Sequence, residues 1–303
     1  MAEFIASVSE PLKKKYADYD EFILPAIKFL TALAVLFILK SYIGFDSSVS
    51  RPVFLLVMSL VCAFLPAGAI TVATAAFTVL NMLKGSLSMT LVMCVFCMIV
   101  MVICFGLRPG RTVVIALMPV FMILKVPYMI PLALAMTAGV SGVVPMTAGT
   151  VSWYIIRYYH DHHEDLSLVK DPMLIVKEFV SIVNSILDDR SLIVLCLVFI
   201  LGLITGFLIA KTEFDHCRTA AIIASSIIMF LAEIAGDLYF EIRPDYLTMT
   251  LGMLISLILI LILDMFVFNV DYKGKQKLSF EDDEYVYYVK ALPKVKSRKN
   301  NET

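Results

Sequence analysis

From Phe22 to Val270 the chain is a succession of apolar runs, several longer than 18 residues, separated by short polar connections and by one wetter segment, residues 157 to 190. A run of that length crosses a hydrocarbon core of about 30 Å as a helix that satisfies its own backbone hydrogen bonds. Hydrophobic residues make up 60% of the chain and charged residues 17%, against roughly 45–50% and 25% in soluble domains. Lipid must therefore cover apolar surface that no globular core of this size could bury. The expected fold class is all-α, a polytopic transmembrane helical bundle.

Helices are expected at roughly 23–43, 53–82, 87–107, 112–130, 131–156, 191–210, 219–240 and 247–269, about eight spans with a range of seven to nine. The second stretch is too long for one straight span and holds Pro66, Ala67 and Gly68 at its middle, so it is either one kinked span or a hairpin of two half-helices. Organisation follows as a polar N-terminal segment 1–22, a first membrane group 23–156, a connector 157–190, a second group 191–270 and a tail 271–303. The connector carries Met173, Val176, Val180, Val183 and Leu187 at helical spacing after Pro172, an amphipathic helix suited to lying along an interface. With both termini cytoplasmic in a cell membrane, the inner face collects fifteen Lys and Arg and the outer face eight, the sense of the positive-inside bias.

Net charge of −1 excludes the basic surplus that nucleic-acid binding needs. Most of the cysteines lie in apolar runs, where a thiol behaves as a small hydrophobe, and no disulfide framework or cofactor motif is present. No phosphate-binding loop, nucleophile elbow or zincin helix occurs, so no enzymatic activity is expected, and any ATPase would be a separate chain.

Ionisable groups inside spans are costly and call for a partner or a wet cavity. Glu233 and Asp237 share a helix face at i, i+4, and Ser226 falls on the same stripe; two carboxylates held close in low dielectric suit proton or cation exchange. Asp237 near a helix end reaching water is the plainer alternative. Asp264 is a possible partner for Lys28 or Lys125, although lysine stems also snorkel to headgroups.

Pro66 and Gly68 on one side and Pro145 with Thr147 on the other interrupt apolar runs, with Thr137 and Ser141 adding hydroxyls around the second. Broken helices expose backbone groups that transporters use to hold ions, and they also arise from packing alone. Arg51-Pro52 and Arg108-Pro109 each precede one of these regions, a faint internal repeat. Met89, Met93, Cys97 and Met101 form a sulfur stripe compatible with Cu(I) or with plain gap-filling. His160, His163 and Glu164 are weak metal candidates at a hydrated helix end. Gly202 and Gly206 have the small-xxx-small spacing of close helix packing.

Within the tail block Phe280-Glu-Asp-Asp-Glu-Tyr-Val-Tyr-Tyr-Val-Lys-Ala-Leu-Pro-Lys294, residues 285–292 read as a short strand stopped by Pro293, one that needs a second strand or a surface to rest on, with a disordered basic tail drawn to anionic lipid as the alternative. It resembles the ending of uncharacterised multi-pass membrane proteins of anaerobic Gram-positive bacteria. The resemblance implies a cytoplasmic membrane and transfers no substrate or site residue. Two functions are therefore expected: a permease-like protein binding or moving a small solute or ion, with the lipid bilayer as its solvent, or a scaffold of an envelope or secretion complex whose tail recruits a cytoplasmic protein or an ATPase subunit.

Overall fold

A computed structural model describes residues 20–43, 51–107, 111–163, 172–212, 217–243, 245–264, 276–281 and 286–291. The chain forms two compact units, Met1–Ile262 and Leu263–Thr303. In the first, every described element is a helix: α1 (Asp20–Ile43), α2 (Pro52–Phe64), α3 (Ala69–Gly85), α4 (Leu87–Leu107), α5 (Val113–Ile123), α6 (Met129–Thr137), a 3-10 turn (Gly139–Gly142), α7 (Val143–His162), α8 (Pro172–Leu187), α9 (Arg190–Ala210), α10 (Cys217–Tyr239) and α11 (Tyr246–Leu263). In the tail, Gln276–Glu281 (β1) pairs antiparallel with Val286–Ala291 (β2), Gln276 opposite Ala291 and Glu281 opposite Val286. The tail strand thus has its partner within the tail itself.

Among the described residues, four helices are long and apolar enough to cross a membrane, Phe22–Ile43, Arg190–Ala210, Cys217–Tyr239 and Tyr246–Leu263. Of the two alternatives for 53–82, one kinked span or a hairpin, the chain forms two helices, separated by a turn at Leu65–Gly68 in which Ala69 N–H donates to the Pro66 carbonyl at 2.8 Å. The chain 112–156 does not divide at residue 130. It divides at Leu124–Tyr128 and again at Ala138–Gly142, leaving α5 and α6 about 16 and 14 Å long at 1.5 Å per residue, too short to span. Pro145, expected to break a helix, sits instead in the first turn of α7, where its missing donor has no partner to lose, and α7 continues unbroken through Gly149.

Both split segments fold back on themselves. Arg111 Nη1, just ahead of α5, donates to the carbonyl of Ala138, just after α6, at 3.1 Å; in line, those ends would be about 30 Å or more apart. Lys28 Nζ in α1 reaches the Leu65 carbonyl at 3.0 Å, so α2 runs back along α1. Gly85, at the end of α3, then lies against the Tyr159 hydroxyl, and His160 Nδ1 lies 2.9 Å from the Tyr42 carbonyl, so α3 has returned to the level where α1 ended. Helical hairpin α2–α3 is thus based at the C-terminal end of α7 and α5–α6 at its N-terminal end, and the two open in opposite directions.

The remaining order follows from close packing at small residues. Gly202 of α9 faces Met229, Gly206 faces Ser225, and Gly236 of α10 faces Val194, a falling register that sets α9 and α10 antiparallel. Ala135 also faces Gly206, and Tyr128 meets Phe199 edge-on at 6.1 Å, so α6 runs parallel to α9. The Gly202–Gly206 pair therefore packs inside this chain. A Cβ at Gly206 would lie 2.9 Å from the Ala135 Cβ. Replacing Gly206 by Val should cost about 1–3 kcal/mol by overpacking, read as a lower melting midpoint in detergent, whereas Ala at half-buried Thr205 should leave that midpoint close to its original value.

Candidate functional site

Helix α10 turns one polar stripe inward: Ser225, Ser226, Met229, Glu233 and Asp237 are all buried. The i, i+4 relation of Glu233 and Asp237 puts both carboxylates on the side that meets the α5–α6 tip. The tip is built by the end of α5. Lys125 adopts a left-handed backbone, φ 59°, and Val126 N–H donates back to the Phe121 carbonyl at 2.9 Å, the 6→1 bond that closes a helix with a Schellman turn. Glycine is the usual residue there, because a Cβ is disfavoured at positive φ.

That turn aims the Lys125 carbonyl at Gly252 of α11, where any Cβ would collide with it. Two residues past Pro127, the chain begins α6, and Tyr128 is left buried with its hydroxyl donating to Glu233 Oε2 at 2.6 Å. A proton donor on a fixed ring thus meets a carboxylate that would otherwise stand uncompensated in low dielectric. Asp237 Oδ2, one helical turn on, and Ser256 Oγ, one turn beyond Gly252 on the buried face of α11, have no hydrogen-bond partner among the described residues. At the mouth of this region Asp245, ahead of α11, is held below the ordinary carboxylate range, first by the Thr248 hydroxyl bonded to it at 2.5 Å and in smaller part by the Lys125 ammonium. The Lys125 ammonium therefore lies toward the end where α11 begins.

The structure unites some of the sequence candidates and separates others. Glu233, Asp237 and Ser226 share a buried face, with the Ser226 hydroxyl donating to the Ile222 carbonyl at 2.7 Å. Pro66 and Gly68 form the other hairpin tip, where Pro66 is exposed. Thr137 and Ser141 are exposed and donate to Ala133 and Ala138 of their own backbone, and Thr147 does the same to Val143 and Val144. Each of these hydroxyls is thus taken up by its own stretch of backbone around the Ala138–Gly142 break.

Lys28 donates to Leu65 near the start of α1, whereas Lys125 lies near the start of α11, so the two lysines stand toward opposite ends of the bundle. The hairpin reverses the direction that an unbroken span would have given Lys125. His160 stacks on Tyr42 at 4.1 Å, His163 Nδ1 lies 2.8 Å from the His160 carbonyl, and Glu164 falls outside the described residues. No group of three metal-ligating His, Cys, Asp or Glu side chains occurs among the described residues. Tyr128, Gly252 and Ser256 were not legible as site residues. The one sequence signal for Tyr128 was its place between Pro127 and Pro131.

No family model matches the chain, and no curated protein or solved structure is significantly similar to it.

Removing the Tyr128 hydroxyl leaves the Glu233 carboxylate buried without that donor, a loss of about 1–3 kcal/mol. Tyr128→Phe should lower the melting midpoint, Glu233→Gln should lower it less, and the double variant should fall short of the sum. A double-mutant cycle in detergent measures the coupling.

Proposed function

We propose that the chain is a permease-like integral membrane protein that exchanges a proton or small cation at Glu233 and Asp237 beside the tip of a re-entrant helical hairpin. The observation that carries this reading is the convergence at one buried place of a carboxylate pair, a hydroxyl donor bonded to one member, an unpartnered oxygen on the other, and a helix-terminal carbonyl turned inward. A structural ion pair would bring a cation to those carboxylates. A group that loads and unloads an ion instead needs an oxygen kept available, and the Asp237 oxygen meets that need.

In this reading α1, α4, α7, α9, α10 and α11 cross the bilayer, and the two helical hairpins enter from opposite faces without crossing. Irregular backbone at membrane depth is tolerated where protein buries it, which fits the α5–α6 tip. Both ends of the chain then lie on one face, proposed as cytoplasmic on the strength of the triple lysine 13–15 and the basic tail. Lys84 moves to the face opposite the termini and Arg111 to the same face, the reverse of what eight full spans require. Cysteines placed singly at 14, 84 and 111 in a cysteine-free background check this with an impermeant maleimide: 14 and 111 should label from one side of sealed vesicles and 84 from the other.

Reconstituted protein should dissipate an imposed pH or monovalent-cation gradient, followed with an entrapped pH-sensitive dye. Glu233→Gln should abolish that flux while the protein keeps its elution volume. Flux that persists in both Glu233→Gln and Asp237→Asn would remove the reading. The scaffold alternative draws its support from the tail, which forms a unit of its own with a two-stranded hairpin. Deleting residues 279–303 separates the two readings: flux should survive, whereas a scaffold would lose a co-purifying partner.

A further inference from the structure

The two oppositely opening hairpins are each followed by a long helix, α2–α3 by α4 and α5–α6 by α7. Residues 51–107 and 108–162 therefore repeat one order, an Arg-Pro pair, a helical hairpin and a long helix, with the direction inverted. One arm and the long helix of each repeat, α3 with α4 and α5 with α7, together with Leu39 of α1, line a small, partly open cavity of about 30 Å³. Thr71 and Thr78 come from α3, Cys97 from α4, Pro119 from α5 and Ser152 from α7. No lining residue carries a charge.

The Thr71 hydroxyl is the telling group. Thr71 is buried, and its Oγ1 has no hydrogen-bond partner among the described residues, although Thr74 and Thr78, on the same helix, each donate to carbonyls of the preceding turn. An unpaired buried hydroxyl beside the cavity, where Thr74, Thr78 and Ser152 are the other polar lining residues, is a cost of about 1–3 kcal/mol that a polar atom reaching it would relieve. In transporters built from inverted repeats, substrates bind near the midplane at the interface between the repeats, which is the position of this cavity.

We propose that the cavity is the solute site of the permease and takes a small, uncharged molecule that hydrogen-bonds to Thr71. This rests on the permease reading and adds the class of solute. A charged solute would meet no counter-charge here and would pay several kcal/mol of unrecovered solvation. The ionisable groups stand elsewhere, at the α5–α6 tip, so solute and coupling ion occupy separate places.

Cys97 supplies a reporter on the wall. In protein carrying Cys97 as its one cysteine, in liposomes, methyl methanethiosulfonate should modify Cys97 about tenfold or more faster than the trimethylammonium-ethyl reagent, because a cation pays to enter an apolar site. Excess acetamide, a small neutral amide, should slow the neutral reagent. Thr71→Leu and Ser152→Leu, which fill the cavity from one repeat each, should slow it further, and either suffices if the other fails to fold. Glu233→Gln should leave the labelling unchanged, so this result stands or falls apart from the flux measurement. The proposal is overturned if Cys97 reacts only after denaturation, if the cationic reagent matches the neutral one, if acetamide gives no protection, or if neither filling substitution slows the reaction, which would mean direct access from lipid.

Discussion

A broken helix in lipid must find partners for the backbone groups it frees, because no water is there to take them. The last carbonyls of a helix carry its negative pole, and cations satisfy them best. This chain applies that remedy repeatedly. Lys28 donates to Leu65 after α2, Arg111 to Ala138 after α6, and Arg190 Nη1 approaches the Phe240 carbonyl after α10 at 3.4 Å. Each bond also ties two distant segments, 37, 27 and 50 residues apart. Three basic side chains that look in sequence like snorkelling or loop charges thus fix where helices stop and which way the chain turns.

The tip of α5–α6 is finished differently. Lys125 and Val126 close α5 with their own amides, and the exposed Lys125 side chain leaves the turn free of a covering cation. The Lys125 carbonyl consequently faces Gly252, and three residues on, Tyr128 donates to Glu233. Glu241 adopts the same left-handed turn at the end of α10, φ 57°, with Ile242 N–H donating to the Asp237 carbonyl at 2.9 Å. Two non-glycine residues in that conformation therefore bracket the carboxylate pair. Each carries the steric cost of a Cβ at positive φ.

What the sequence made legible was whatever depends on composition and helical spacing. Length and apolarity fix a membrane protein of helices, and the interval between Ser226, Glu233 and Asp237 fixes their common face without knowledge of any neighbour. The turn at Pro66–Gly68 was visible as one of two alternatives, since a proline followed by a small pair ends helices but does not reveal direction. Direction is a tertiary property: a half-helix that returns and one that continues have the same hydropathy. For that reason 112–156 was misdivided. Pro145 looked more disruptive than Lys125–Val126–Pro127, yet a proline in a first turn costs nothing, whereas the 124–128 turn is set by backbone bonds that leave no residue signature beyond Pro127. Tyr128 carries no such signal, because a lone tyrosine in an apolar run usually packs and its partner lies 105 residues away.

The faint Arg-Pro repeat gains meaning from the same geometry. Pro52 occupies the first turn of α2, so Arg51 is placed at the base of a hairpin, and the second pair precedes the other hairpin in sequence by the same logic. The arms nevertheless differ in exposure: α2 presents Val53, Leu56, Val57, Leu60, Val61 and Phe64 outward, whereas α5 is packed against α7 and buries Ile115, Met118 and Val120. Asymmetry of that kind is what an inverted pair requires to do more than close upon itself, since one hairpin can hold the wall to lipid while the other reaches the carboxylates.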